Sequence, residues 1–346
     1  MDRATEDEAF MRAALAEATK GVGRTSPNPA VGAVLVVDGK IAARGHHRGV
    51  GSPHAEIECL QTCDAAIPRD ATLYVTLEPC STSGRTPPCT EALAAAGVRN
   101  VVVGAIDVNP SHAGRGIKLL RKAGITVRTD ILAKECAAVN EAFNKWIVTK
   151  RPLVIAKCGM TLDGRLTRPP HEQTWITSPA ARRHANRFRG QVDAILIGAE
   201  TLRADNPRLT ARVAPGAHQP WRIVLSRSGR IPGSAHLFTD RFAHRTLVFR
   251  RRSLDSVLKT LGQREITSVL IEGGGDVLGQ ALDGRMIDQV QIYLGPLFAG
   301  GPGIAFPGAG APSTEKGVRL RDVQYERIGD DIFVTGKTTH EPAISE

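Results

Sequence analysis

The chain has 346 residues, of which 23% are charged and only 4% aromatic, with 45 Lys and Arg against 35 Asp and Glu, for a formal net charge of +10. That length suits two hydrophobic cores rather than one. No run of eighteen apolar residues occurs and the N-terminus reads MDRATEDEAF, so neither a spanning helix nor a secretory signal is expected, and the protein is expected to be cytoplasmic with no membrane partner.

Thr5 followed by Glu8 has capping-box spacing, and Phe10, Met11, Ala14, Leu15 and Ala18 recur at helical intervals until Gly21 and Gly23, which predicts a first helix. AVGAVLVV (30–37), the turn DGK and IAARG (41–45) predict a hairpin. ATLYVTL (71–77) predicts a buried strand, and PCTEALAAAG (88–97) a helix with Pro at its start and Gly at its end. VVVGAI (101–106), GIKLLRKAG (116–124) and ITVRTDI (125–131) follow as strand, helix and strand. After ECAAVNEAFNKWIVTK the chain meets Arg151-Pro152, which places a boundary between domains 1–148 and 149–346. Beyond it, strands are predicted at 153–160, 194–199, 222–226, 246–249, 268–272 and 289–294, with helices at 179–189, 253–262 and 276–282, so both halves are α/β.

Residues 1–150 carry 18 basic against 16 acidic side chains, and residues 151–346 carry 27 against 19. The basic excess therefore lies in the second half, where it suits phosphorylated small molecules and a pyrophosphate cofactor. No aromatic pattern for base stacking accompanies it, so nucleic acid is not an expected partner, and Arg250–Arg252 reads as a solvated cluster. Six cysteines in a chain of this size, without an export signal, point to thiol or metal chemistry rather than a disulfide framework.

The chemistry concentrates in HAE (54–56) and EPCSTSGRTPPC (78–89). His54, Cys80 and Cys89 lie at predicted helix starts or just after a strand, and one imidazole with two thiolates makes a three-donor zinc shell whose fourth tetrahedral position is left for water. Zinc lowers the pKa of a bound water to about 7, and a carboxylate that is not a ligand can carry the proton to a leaving amine. Glu56 is that carboxylate, and the expected reaction is hydrolytic deamination of an amino-substituted heterocycle. H-x-E followed by P-C-x-x-C is the mark of zinc deaminases. Here eight residues separate the two cysteines. A structural zinc knuckle closed by Cys59 or Cys63 is the competing arrangement, and it has no use for Glu56.

Taken together, TSPNPAVGAVLV (25–36), HHRGVGSPHAE (46–56) and EPCSTSGRTPPC resemble the bifunctional riboflavin-biosynthesis deaminase-reductase family. The likeness continues through RPLVIAKCGMTLDGR (151–165), WITS (175–178), DAILIGAETLRADNPRLTAR (193–212) and VLIEGGG (269–275). The resemblance implies a cytidine-deaminase-like three-layer domain followed by a dihydrofolate-reductase-like domain, with Zn2+ and NADPH as cofactors. It implies deamination of 2,5-diamino-6-ribosylamino-4(3H)-pyrimidinone 5′-phosphate, then reduction of the ribosyl to the ribityl side chain; a homo-oligomer is also expected.

Carried over residue by residue, the resemblance puts the zinc ligands on His54, Cys80 and Cys89, the proton shuttle on Glu56, and substrate contacts on Asn28, His47 and Arg85. An Asn28 amide can pair with a pyrimidine edge, while His47 and Arg85 can meet a ribose phosphate; as the middle of Pro-Asn-Pro, Asn28 also reads as a turn residue. In the second domain it puts substrate contacts on Arg189, Leu209, Arg212 and Glu272, with Lys157 lining the site and Asp163 shaping a turn. NADPH contacts fall on Gly159, Trp175, Thr201 and Asp205, and on the loop Gly274, Gly275, Asp276, Val277, Leu278, Gly279 and Gln280, where a strand-to-helix turn can offer amides to pyrophosphate. No reductase proton donor is assigned. The family has histidine at Thr82, proline at Val108 and serine at Gln173. Two of these departures touch substrate, so a paralogue using a related phosphoribosylaminopyrimidine is the alternative, and a nucleic-acid base deaminase, supported by charge alone, is the third reading.

Overall fold

The computed structural model describes residues 3–63, 66–82, 88–166, 175–212 and 218–339. The chain divides into two compact units, Met1–Thr149 and Lys150–Glu346. Among the described residues no helix is long and apolar enough to cross a membrane.

The first unit contains α1 (Arg3–Thr19), β1 (Gly32–Val37), β2 (Lys40–His46), α2 (Ala55–Gln61), β3 (Thr72–Leu77), α3 (Cys89–Ala95), β4 (Asn100–Ala105), α4 (Arg115–Lys122), β5 (Thr126–Arg128), α5 (Ala133–Val139) and α6 (Glu141–Thr149). Its sheet runs β2-β1-β3-β4-β5, with β1 antiparallel to both neighbours and β3, β4 and β5 parallel. Asp38 and Gly39, both at positive φ (48° and 70°), make the two-residue turn between Val37 and Lys40, because paired positive φ angles match the twist of the strands they join. Strand alternation sends Ala33, Leu35, Leu73, Val75, Val101 and Val103 to one face, where they pack with Ala55, Leu93 and Ile117 of α2, α3 and α4. Val34, Val36, Tyr74 and Val102 turn to the other face against Met11 and Ala14 of α1 and Cys136 of α5. Three layers result.

Two expectations shift here. α1 already includes Arg3, so Thr5 lies inside the helix and does not cap it. Residues 125–131 yield only the three-residue β5, and the segment before the boundary forms α5 and α6, broken at Asn140. Asn140 is buried, and its amide accepts from Ala30 N at 2.7 Å and donates to Ala30 O at 2.9 Å, completing the main-chain bonding just ahead of β1.

The second unit contains β6 (Leu153–Thr161), α7 (Pro179–Arg189), β7 (Ala194–Gly198), α8 (Ala199–Asp205), β8 (Trp221–Ser226), α9 (His236–Thr239), β9 (Thr246–Arg250), α10 (Leu254–Gln263), β10 (Ser268–Ile271), α11 (Gly275–Asp283), β11 (Gln289–Gly295), β12 (Leu320–Ile328) and β13 (Asp331–Thr338). Eight strands lie in the order β12-β13-β11-β6-β10-β7-β8-β9. The six from β11 to β9 are parallel, and β13 and β12 add antiparallel at one edge. One face packs against α10 and α11 through Val257, Leu261, Leu278 and Ala281, the other against α8 and α9 through Leu202 and Leu237. Ser178 caps α7, accepting from Ala181 N at 3.3 Å, with Pro179 as the first helical residue. The ends of parallel strands where helices begin are the usual ligand side of such sheets, and β10 delivers Glu272 and the glycines there.

Candidate metal centre and reductase site

His54 is the N-cap of α2, Cys89 opens α3 and Cys80 follows the end of β3. Their donor atoms all lie within 4.8 Å of one another. His54 Nδ1 is 3.2 Å from Cys89 Sγ and 3.5 Å from Cys80 Sγ. Bond lengths of about 2.3 Å to sulfur and 2.0–2.1 Å to nitrogen at tetrahedral angles put N and S roughly 3.6 Å apart, so the set fits zinc. Among the described residues no fourth His, Cys, Asp or Glu joins the group. Cys59, the competing closure, is fully buried in the sheet core, where burial pushes its thiol up to about 12.

The three donors perturb one another's protonation. The hydrogen bond from Cys89, then the His54 ring, hold the Cys80 thiol down at about 4. Cys89 is pushed up by its bond to Cys80 and by burial, while the Cys80 contact raises His54. Glu56, two residues past His54 and 3% exposed, has its carboxyl raised by burial.

Around this centre the expected substrate contacts fare unequally. Asn28 closes a turn through its N–H to Thr25 O at 2.9 Å, and its Nδ2 donates to His47 Nε2 at 3.2 Å. His47 Nδ1 donates to Pro53 O at 3.0 Å, and its ring stands edge-on to His54 with centroids 5.4 Å apart. Burial lowers the His47 pKa. A neutral ring with Nδ1–H committed and Nε2 accepting has no ring N–H to offer an anion. His47 thus holds the Asn28 amide and stands against His54. Arg85 lies outside the described residues, as does Gln173; Thr82 and Val108 are both exposed.

In the second unit Lys157, Arg189 and Glu272 come together from β6, α7 and the end of β10. Arg189 grips Glu272 with both prongs, Nε to Oε1 at 2.7 Å and Nη2 to Oε2 at 2.8 Å, and its Nη1 reaches Thr210 O at 3.3 Å. Lys157 Nζ lies 3.9 Å from Glu272. Burial alone would raise the Glu272 carboxyl, but Arg189 first and Lys157 next hold it at about 2. Arg212 is exposed, and its N–H is fixed by Asn186 Oδ1 at 2.8 Å. Leu209 has its side chain 2% exposed within the core and its backbone in the left-handed region (φ 49°), so only its main chain can face a ligand. Asp163 accepts from Ala299 N and Gly300 N at 3.1 and 2.7 Å, which agrees with a loop-shaping role.

On the cofactor side, Trp175 is 62% exposed with the Arg182 guanidinium 5.0 Å from its ring, and a Cβ at Gly159 would meet Thr177 at 3.3 Å. Thr201 faces Gly274, where a Cβ would stand 3.1 Å from its hydroxyl, and Asp205 is exposed one turn further along α8. Val277 and Leu278 are buried in the core, and a Cβ at Gly279 would fall 1.5 Å from Pro307 O, so these three present no side chain to a nucleotide. Val277 N and Leu278 N both bond Gly274 O, at 3.0 and 3.2 Å, which leaves the amides of Gly275 and Asp276 as the first-turn donors. The Asp276 carboxylate pairs with Arg227 at 3.0 Å and accepts from Gln280 Nε2 at 3.2 Å.

Sequence reasoning missed the residues that hold these groups in place. Arg222 is 1% exposed and donates to Arg208 O at 3.2 Å and to Asp240 at 2.7 and 2.9 Å, and Gln219 brackets Ala211 through its N–H and carbonyl at 3.0 and 2.9 Å. Both pin the loop carrying Leu209 and Arg212. An arginine inside the apolar strand WRIVLS was the one available signal.

Residues 4–105 match the family described as the cytidine and deoxycytidylate deaminase zinc-binding region, and residues 152–334 match the RibD C-terminal domain. The riboflavin biosynthesis protein RibD of Actinobacillus pleuropneumoniae is 38% identical over 94% of this chain and 93% of its own length. Its counterpart in Escherichia coli K12 is 37% identical over 85% of this chain and 89% of its own. Among solved structures, Acinetobacter baumannii RibD superposes with a TM-score of 0.89 at 33% identity, covering 98% of this chain and all of that one. A diaminohydroxyphosphoribosylaminopyrimidine deaminase/5-amino-6-(5-phosphoribosylamino)uracil reductase from Thermotoga maritima gives 0.89 at 33% identity, over 97% of this chain and 100% of that one. Matched in both halves and aligned to relatives across nearly its full length, this chain belongs to the RibD family of riboflavin biosynthesis, which joins a zinc-binding, cytidine-deaminase-like domain to a dihydrofolate-reductase-like domain that uses NADPH.

Proposed function

We propose that the first unit hydrolyses the ring amine of 2,5-diamino-6-ribosylamino-4(3H)-pyrimidinone 5′-phosphate and that the second reduces the ribosyl group of the product to ribityl. The observation that carries this reading is the convergence of His54, Cys80 and Cys89 with a buried, non-ligating carboxyl, Glu56, beside them. Zinc held by those three donors supplies Lewis-acid activation of water. Burial raises the Glu56 pKa and so strengthens its carboxylate as a base, which takes the proton that water loses and delivers it to the departing nitrogen as ammonia leaves. Asn28, oriented by His47, is placed to read the pyrimidine edge.

In the second unit the amides of Gly275 and Asp276 at the start of α11 are the natural seat for pyrophosphate. NADPH carries the hydride chemistry, and Trp175, Thr201 and Asp205 position it. Glu272 fixes Arg189 and Lys157 where a phosphorylated sugar would sit. A cytoplasmic location and self-association complete the reading.

Chelation tests the division of labour. Stripping zinc from the purified chain is expected to reduce ammonia release to background, with recovery on adding zinc back. NADPH oxidation on the already deaminated substrate is expected to stay within about twofold. Loss of both activities, or of neither, would remove the basis for assigning zinc chemistry to the first unit alone.

A further inference from the structure

Glu78 enters neither reaction, yet it is 5% exposed and two residues ahead of Cys80. Its Oε1 accepts from Gly116 N at 2.8 Å and Ile117 N at 3.3 Å, and its Oε2 from Gly114 N at 2.9 Å and Asp107 N at 3.3 Å. Three of those four donors are the opening amides of α4, whose N-cap, Gly114, is left-handed (φ 75°) and has no side chain of its own to bond them. A carboxylate from the neighbouring strand therefore caps the helix and meets its positive end. The approach is close: a Cβ at Gly116 would lie 2.1 Å from Pro79 O and 3.2 Å from Glu78 Oε1.

This clamp bears on the metal centre. Downstream, Cys80 is tied by Thr90 N to its carbonyl and by Cys89 N to its sulfur, each at 3.3 Å. Upstream, its main chain is held by the seat of Glu78 and Pro79 on α4. Metal donors need placement to about 0.2 Å, and a peptide anchored on both sides of Cys80 provides it. Resting on the zinc reading above, we propose that Glu78 is a positioning residue of the metal centre, its carboxylate locked on the start of α4 so that Pro79-Cys80 presents the sulfur to zinc.

The test is zinc affinity of the full chain, measured by competition with the chelator 4-(2-pyridylazo)resorcinol. Glu78→Gln keeps the shape but turns an NH2 toward two backbone N–H groups, and Gly116→Ala pushes Pro79 from the other side. Both are expected to weaken zinc binding about 10–100-fold and to shrink the zinc-induced rise in Tm, which a loss of general stability alone would leave intact. The wild-type chain gives a measurement independent of folding in the variants: by reciprocity, zinc loading slows hydrogen exchange at the Gly114, Gly116 and Ile117 amides. Affinities within twofold of wild type in the folded variants, or exchange at those amides indifferent to zinc, overturn the proposal. A wild-type chain that binds no zinc overturns the zinc reading itself.

Discussion

Glu56→Gln is expected to retain zinc and lose ammonia release by roughly 10²–10⁴-fold, the usual worth of a positioned acid-base group. Glutamine is nearly isosteric, so the packing at the start of α2 survives. What disappears is the ability to accept and return a proton. Glu56 is 3% exposed and its carboxyl is raised by burial, so no nearby solvent substitutes easily for it. The informative assay pairs ammonia release with zinc content and with NADPH oxidation on deaminated substrate. Full zinc and full reductase activity with collapsed deamination is the expected pattern; turnover near the wild-type rate would return the site to a structural knuckle.

The second large effect is expected at Glu272→Gln. Its carboxylate answers both prongs of Arg189 and the Lys157 ammonium, with side-chain exposures of 17% for Arg189 and 6% for Glu272. Removing one member of a buried pair leaves the other uncompensated, at a cost of about 3–5 kcal/mol. For a unit of this size that is a fall in Tm on the order of 10 °C. Reduction should suffer as well, because Arg189 loses the partner that aims it, whereas deamination should not change. The same pair sets an acid limit. The folded Glu272 sits at about 2, below its ordinary 4.5, so its contribution is fully present above pH 4.5 and drains away as pH falls toward 2. Acid unfolding of Glu272→Gln should lack that component, and an unchanged profile would show that the pair does not support the fold.

The deaminase centre was legible in the sequence because each donor stands at a helix start or just past a strand end, where local periodicity fixes its place. The reductase site was not: Glu272 meets Arg189 across 83 positions, a pairing set by β10 lying beside β6 and β7 and by α7 packing nearby. Only resemblance supplied it. Within the loop given by resemblance, helical spacing alone turns the Val277 and Leu278 side chains inward. Residue type does not reveal the setting of His47 either: burial lowers its pKa although its Nδ1 donates to Pro53 O. β12 and β13 left little trace because β12 is an edge strand whose residues are largely exposed, so no apolar alternation marks it. α8, at seven residues, is too short to display a period.

The bond pair between Asn140 and Ala30 has a practical bearing on where this chain can be divided. The zinc-binding region as a sequence pattern stops at residue 105, but a fragment ending there would strip both partners from Ala30 and uncover the β-sheet face that Cys136 fills. A self-sufficient deaminase fragment has to run on past Asn140, and the compact unit itself extends to Thr149.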